Sequence, residues 1–440
     1  MELTYKNLPE SFLKEELAAL EEKINEYRKM NLSLNMKRGV PSKEQINLSN
    51  EMMNVLKSDS DYRCEDGIDC RTYGILEGIP ECRRLLGEII ELPPENIIIF
   101  GNSSLNIMFD CISHAMIRGV MGSTPWSKLD KPVKWLCPVP GYDRHFAICE
   151  YFGIEMINIP MDENGPDMDM VEELVSKDEY IKGIWCVPKY SNPSGVTYSE
   201  EVVRRFVNLK PKAKDFRIYW DNAYSVHHLY QDKQDFLVEI IEEARKANNP
   251  DIVYKFTSTS KISFPGSGIA ALASSPANLE DIREFMKVQT IGYNKVNQLR
   301  HVRFFHNLNG IKEHMKKHAN ILRPKFEKVE QILDKNFLNS DLINFTRPRG
   351  GYFISLDCNY GVAKEVVEMC NSLGVYFTPA GSSFPYHQDP NNRNIRLAPS
   401  YPSIEELEIA INVLSDVIKY QSVKKVLDNE RRTNSRSSRS

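Results

Sequence analysis

Apolar residues recur at three- and four-residue spacing from Pro9 to about Tyr27. Phe12, Leu13, Leu17, Leu20, Ile24 and Tyr27 share one face, which predicts an amphipathic helical arm packed on the rest of the chain. Arg38-Gly39-Val40-Pro41 breaks the regularity, and Leu48 to Leu56 predicts a second, shorter helix. From about residue 60 to 305, short apolar runs alternate with helical stretches. The predicted strands are Ile97–Phe100, Val133–Cys137, Ile184–Val187, Arg217–Trp220, Ile252–Phe256 and Ile269–Leu272. Near-continuous apolar runs suit strands buried on both faces, so a mainly parallel sheet covered by helices is expected. Nearly every run breaks at once into polar or turn residues, and ligands in such sheets gather at the carboxyl ends of strands.

From about 306 to 422 the pattern becomes long amphipathic helices around a few strands, including Gly351–Leu356 and Asn394–Leu397. The expected division is an N-terminal arm with part of a small domain over 1–60, a large domain over 61–305, and a C-terminal small domain over 306–422. Residues 423–440 form a tail ending in arginine and serine from Asp428, read as disordered for lack of apolar periodicity.

Composition narrows the function classes. With 440 residues, 41% hydrophobic and a net charge of only -4, the chain is globular and gives no reason to expect nucleic acid or a membrane as partner. Nine scattered cysteines, odd in number and never spaced as a CxxC pair, suit reduced thiols in a cytoplasmic protein and no metal site. The first residues, MELTYKNLPESFLKEEL, read as neither a secretory signal nor a transit peptide, and no run is long enough to span a bilayer.

The candidate chemistry lies at the strand ends. Lys261 sits in the hydroxyl-rich turn Thr257–Gly268 after a predicted strand. Asp221 closes the run Arg217–Trp220, where a carboxylate needs a cation or several donors, or serves as a helix cap. Ser103 and Ser104 follow Gly101 and precede a helical stretch, an arrangement that either caps the helix or holds an anion. Asn192-Pro193-Ser194-Gly195 reads as a loop, and Tyr142 and Tyr224 as packing aromatics or ring contacts. Arg396, between Ile395 and Leu397, calls for an anion. A lysine, a lone carboxylate, a phosphate cradle, an aromatic face and an arginine are together the parts that hold pyridoxal 5'-phosphate and an amino acid.

Five motifs in order carry a resemblance: Asn192 to Gly195, Asp221 to Tyr224, Ser258-Thr259-Ser260-Lys261, Gly350-Gly351-Tyr352-Phe353 and Arg396-Leu397. Over roughly residues 30 to 420 the chain resembles the fold-type I pyridoxal-phosphate aminotransferases of class I. The stretches Arg38–Gln45, Lys261–Gly268 and Lys295–His301 look more narrowly like the aspartate aminotransferases of the type Ic branch. The resemblance implies an α/β fold: a large domain with a mainly parallel seven-stranded sheet between helices, and a smaller α+β domain. It implies a homodimer with shared active sites, and ping-pong transamination of L-aspartate and 2-oxoglutarate through a Schiff base on Lys261.

The same resemblance implies individual roles. Asp221, steadied by His145, would face the cofactor ring nitrogen; Asn192 and Tyr224 the ring hydroxyl; and Tyr142 the ring face. Ser103, Ser104, Ser258 and Ser260 would hold the phosphate, with Tyr73 from the second subunit. Arg396, with Gly39 and Asn192 nearby, would clamp the substrate α-carboxylate. The chain departs from the family where an arginine is usual eight residues after the lysine: Ile269 stands there. Lys295 is the candidate reader of the substrate side-chain carboxylate, and Arg144 the reserve. The rival readings are the same scaffold acting on another amino acid, as an aminotransferase, β-lyase or decarboxylase, or a non-catalytic sensor.

Overall fold

The computed structural model describes residues 4–437, with side chains described as far as residue 429. A two-residue strand β1 (Leu34–Asn35) precedes the central sheet, which is built from β2 (Ile97–Ile99), β3 (Lys134–Val139), β4 (Glu155–Asp162), β5 (Gly165–Pro166), β6 (Ile181–Cys186), β7 (Arg217–Asp221), β8 (Val253–Ser258) and β9 (Ala270–Ala273). Their spatial order is β2-β9-β8-β7-β6-β3-β4-β5. Strands β8, β7, β6, β3 and β4 run parallel; β9 is antiparallel to β2 and β8, and β5 to β4. The sheet is therefore mixed and eight-stranded, not seven-stranded, the eighth member being the two-residue edge β5. Strands β6, β7 and β8 are buried at every residue, which is why their sequences are mostly apolar; the charges inside them, Lys182, Arg217 and Lys255, are met by Asp215, Asn278 and Glu239. Strand β4 escapes that rule because it lies near the edge and is half exposed, so its sequence carries no such run.

A second sheet, β10 (Ile343–Phe345), β11 (Ile354–Cys358) and β13 (Asn394–Leu397), is antiparallel throughout, and β12 (Val375–Tyr376) pairs with β1. Strand β11 begins three residues later than the expected Gly351. The arm is the helix Glu10–Lys29, which buries Leu13, Leu20 and Ile24; Tyr27 Oη donates to Asp416 Oδ2 (2.7 Å) on the helix Ile404–Ser437. That last helix corrects the expected disorder after residue 423. Val423, Val426 and Leu427 are buried and carry its apolar stripe onward, while the final three residues of the tail lie outside the described ones. The helix expected over Leu48–Leu56 is also displaced: Lys43–Asn47 is helical, opened by Ser42 and Gln45 as a capping box, and Asn50–Asn54 is a 3-10 turn.

Candidate active site

Strands β7 and β8 are neighbours, with Asp221 in register with Phe256, so the Asp221 carboxylate and the Lys261 turn emerge at the same end of the sheet. The Lys261 ammonium lies 5.0 Å from the ring centre of Tyr224 and 6.0 Å from that of Tyr352. Burial pushes this lysine below its ordinary pKa, and the Asp221 charge opposes the shift.

Asp221 is buried, and only one of its oxygens is matched: Oδ2 is 3.1 Å from His145 Nε2, while Oδ1 has no partner. His145 is fixed in turn by stacking on Trp185, with ring centres 4.5 Å apart, and by an edge contact with Tyr142. A buried carboxylate with one bare oxygen is costly unless a bound group fills it. Asn192 Oδ1 and Asn222 Oδ1 are buried and bare as well, on the loops after β6 and β7. Tyr224 is buried, which drives its hydroxyl pKa well above the ordinary value; burial and the nearby Asp143 and Asp221 charges push Tyr142 up to about 12. Both phenols are thus donors at neutral pH.

The phosphate candidates split into two groups that meet. Ser103 caps the helix Ser104–Arg118 by accepting from the Leu105 N–H, and Ser104 is its first residue. Across from them Ser258 Oγ donates to Ser260 Oγ (3.1 Å), which donates to the Asn102 carbonyl (3.0 Å), so the β8 turn and this helix N-terminus close on one another. Ile269 is buried in the apolar core under this turn, and its N–H donates to Thr259 Oγ1 (2.9 Å). The position of the usual arginine is thus an interior one here.

Arg396 stands on β13 with its guanidinium 5.1 Å over the Phe353 ring. Its Nη1 donates to Asp143 Oδ1 (2.8 Å), and its Nε is buried without a partner. Gly39 lies at the tip of the same ring: a Cβ there would fall 2.0 Å from Phe353 Cζ, so glycine lets segment 37–40 approach. Gly195, at φ +72°, similarly ends the Asn192 loop against Pro348.

Lys295, the candidate reader of the side-chain carboxylate, has a buried ammonium that donates to the carbonyls of Thr72 (2.7 Å) and Gly74 (2.9 Å), on either side of Tyr73, so within its own chain it braces that segment. Tyr73 itself projects from the surface, 84% exposed. Arg144, the reserve, is exposed on the helix Asp143–Phe152. Sequence reasoning passed over Asp143, which faces Arg396, and His227, a fully buried imidazole beside Tyr224 and Tyr352. Position relative to Tyr142 and Tyr224 was the available signal for both.

The sequence model of the aspartate amino-transferase family matches residues 8–430. A curated aspartate aminotransferase of Corynebacterium glutamicum is 46% identical over 394 residues, covering 89% of this chain and 90% of the relative. Among solved structures, an aspartate transaminase of the same species superposes with a TM-score of 0.94 at 42% identity, over 97% of this chain and 100% of that one. A putative aminotransferase of Corynebacterium diphtheriae superposes with a TM-score of 0.89 at 47% identity, over 92% and 100%.

Proposed function

The chain belongs to the aspartate aminotransferase family and is an aminotransferase, and from that premise we propose that it exchanges amino groups between L-aspartate and 2-oxoglutarate in alternating half-reactions. The observation that carries the residue assignment is the Asp221 carboxylate: buried, held on one oxygen by His145, bare on the other, and beside the Lys261 turn. Its bare oxygen, with those of Asn192 and Asn222, fits the polar edge of pyridoxal 5'-phosphate. When bound, that cofactor supplies an aldehyde carbon for the amino group and an electron-withdrawing ring.

The chain's own residues then divide the work. Lys261 is the covalent tether, and its Nζ, held below the ordinary lysine range, takes the proton from the substrate α-carbon. Asp221 presents an anion to the ring nitrogen, and His145 prevents that carboxylate from turning away. Asn192 and Tyr224 donate toward the ring hydroxyl, and Tyr142 covers the ring face. Ser103, Ser104, Ser258 and Ser260, with the helix N-terminus at Ser104, hold the phosphate. Arg396 clamps the substrate α-carboxylate, using the unpartnered Nε and the Nη1 now held by Asp143. Gly39 and Asn192 flank that clamp.

Tyr73, exposed and braced by Lys295, completes the phosphate site of a second copy, which makes the working unit a homodimer. Nine free cysteines, all buried, suit a reducing cytoplasm, and no described helix is long and apolar enough to cross a membrane. One observation favours a second reading, an aminotransferase (or β-lyase or decarboxylase) for another amino acid: the Lys295 ammonium is engaged by Thr72 and Gly74. A substrate screen decides between them. Conversion of the loaded enzyme to its amine form by L-aspartate supports the first; conversion only by neutral or aromatic amino acids refutes it.

A further inference from the structure

Behind Lys261 lies a closed set of polar side chains that the functional assignment does not use. Gln45 and Ser49 come from the segment before the large sheet, His314 and His318 from the helix Leu308–Asn336, His301 from the helix Lys295–Phe305, and Tyr352 from the loop leading into β11. All six are at least nine-tenths buried. Their hydrogen bonds assign donor and acceptor roles. The Ser42 N–H donates to Gln45 Oε1 (3.0 Å), which fixes the amide and leaves Nε2 to donate to His318 Nδ1 (3.0 Å) and to Tyr352 Oη (2.9 Å). His318, accepting at Nδ1, carries its hydrogen on Nε2.

That nitrogen is 3.1 Å from His314 Nε2, which lies 2.9 Å from the Ile262 carbonyl. A carbonyl only accepts, so His314 carries its hydrogen on Nε2 and donates it to the carbonyl of the residue next to Lys261, while His318 is seated against that same nitrogen. Ser49 Oγ packs on the same nitrogen at 3.2 Å. The other side of the turn is held in the same way. His301 Nδ1 donates to the Asn297 carbonyl (2.8 Å), and its Nε2 accepts from Ser263 Oγ (2.9 Å) and Thr259 Oγ1 (3.2 Å). Every residue around Lys261 in the turn Thr259–Ser263 is thereby pinned except the lysine side chain and Ser260, whose hydroxyl turns to Asn102.

We propose that Gln45 and His318 are positioning residues for Lys261, forming with Ser42 a strut from the segment before the large sheet that sets both the Lys261 turn and the Tyr352 wall of its chamber. The inference rests on the reading of Lys261 as the reactive amine. The amide of Gln45 does two things at once: it fixes the His318 ring against His314, the donor to the Ile262 carbonyl, and it holds the Tyr352 ring where the Lys261 ammonium lies over it. A side chain that served packing alone would need neither the capping-box contact nor the two directed donors.

The test compares wild type with Gln45→Met, His318→Leu and His318→Gln, the last of which keeps a donor at the end of the side chain. Hydrogen exchange of the protein without cofactor, read by mass spectrometry over residues 259–263, should accelerate at least tenfold in Gln45→Met and His318→Leu, while strand β8 keeps its protection. In the loaded enzyme kcat should fall about tenfold or more with KM within about twofold, and His318→Gln should recover most of both effects. Borohydride reduction followed by peptide mapping locates the covalently held cofactor in wild type. If it is not on Lys261, the site reading fails and this inference with it. If it is on Lys261 but exchange and kcat in the folded variants match wild type, or His318→Gln is no better than His318→Leu, only the strut is refuted. Should Gln45→Met fail to fold, the two His318 variants decide on the same criteria.

Discussion

Acidification from pH 7 to 5 should remove several kcal/mol of folding stability through three histidines that make no contact with solvent water to speak of. His301 and His318 are fully buried and His314 nearly so. Burial holds His301 and His314 at about 4 and His318 at about 3, against an ordinary 6.5. The hydrogen bonds agree with neutral rings, since His318 Nδ1 accepts from Gln45 and His301 Nε2 accepts from Ser263. In the unfolded chain each ring takes up a proton as the pH falls through 6.5, while the folded chain stays neutral until about 4. The unfolded state therefore binds more protons throughout that window, and stability falls with acid and is regained as the pH rises.

At pH 5 the difference is worth roughly 2 kcal/mol for each histidine, and about 6 kcal/mol for the three together. Urea unfolding of wild type at pH 7, 6 and 5, followed by circular dichroism and tryptophan fluorescence, measures it. His318→Gln, which cannot titrate, should lose about 2 kcal/mol less than wild type over the same range. A wild-type stability that stays flat from pH 7 to 5, or an identical slope in His318→Gln, would show that these rings are hydrated or already charged in the folded protein.

Three further outcomes are expected. Lys261→Ala should be inactive and, after borohydride treatment, should hold no covalently bound cofactor; normal turnover would end the assignment of the site. Arg396→Ala should lower kcat/KM by the equivalent of about 3 kcal/mol, because it removes a clamp and leaves Asp143 half-buried without its cation; equal kcat/KM in variant and wild type would discount the clamp. Tyr73→Phe, at a side chain 84% exposed in the single chain, should leave thermal stability unchanged and weaken cofactor affinity in equilibrium titrations, an effect of about 1 kcal/mol for one hydroxyl contact.

The order of motifs along the chain was enough to single out Lys261, Asp221 and Arg396, because each is a polar group set in or against an apolar run. That signal is local and it needed the motif order beside it, since Lys182, Arg217 and Lys255 also stand in buried strands and are simply paired there. The strands β6, β7 and β8 were readable because burial on both faces keeps most of their positions apolar, with Lys182, Arg217 and Lys255 as paired exceptions. Strand β4, half exposed near an edge, has no such signature. The tail was misread because buried Val423, Val426 and Leu427 extend a helix whose partner, the N-terminal arm, lies some four hundred positions away in sequence.

What the sequence by itself determined was the chemical inventory and the sheet that carries it. Tertiary structure alone decided what each group has left to offer. The carbonyls of Thr72 and Gly74 around the Lys295 ammonium could not be read from the sequence, and Ile269 looked like a missing arginine until its place proved to be core. Asp221 keeps one bare oxygen because His145 takes only the other, and the Lys261 turn is held by histidines drawn from two helices far along the chain. Hydrogen-bond availability is a property of all the neighbours a group acquires on folding, and those neighbours are set by long-range packing that no local pattern encodes.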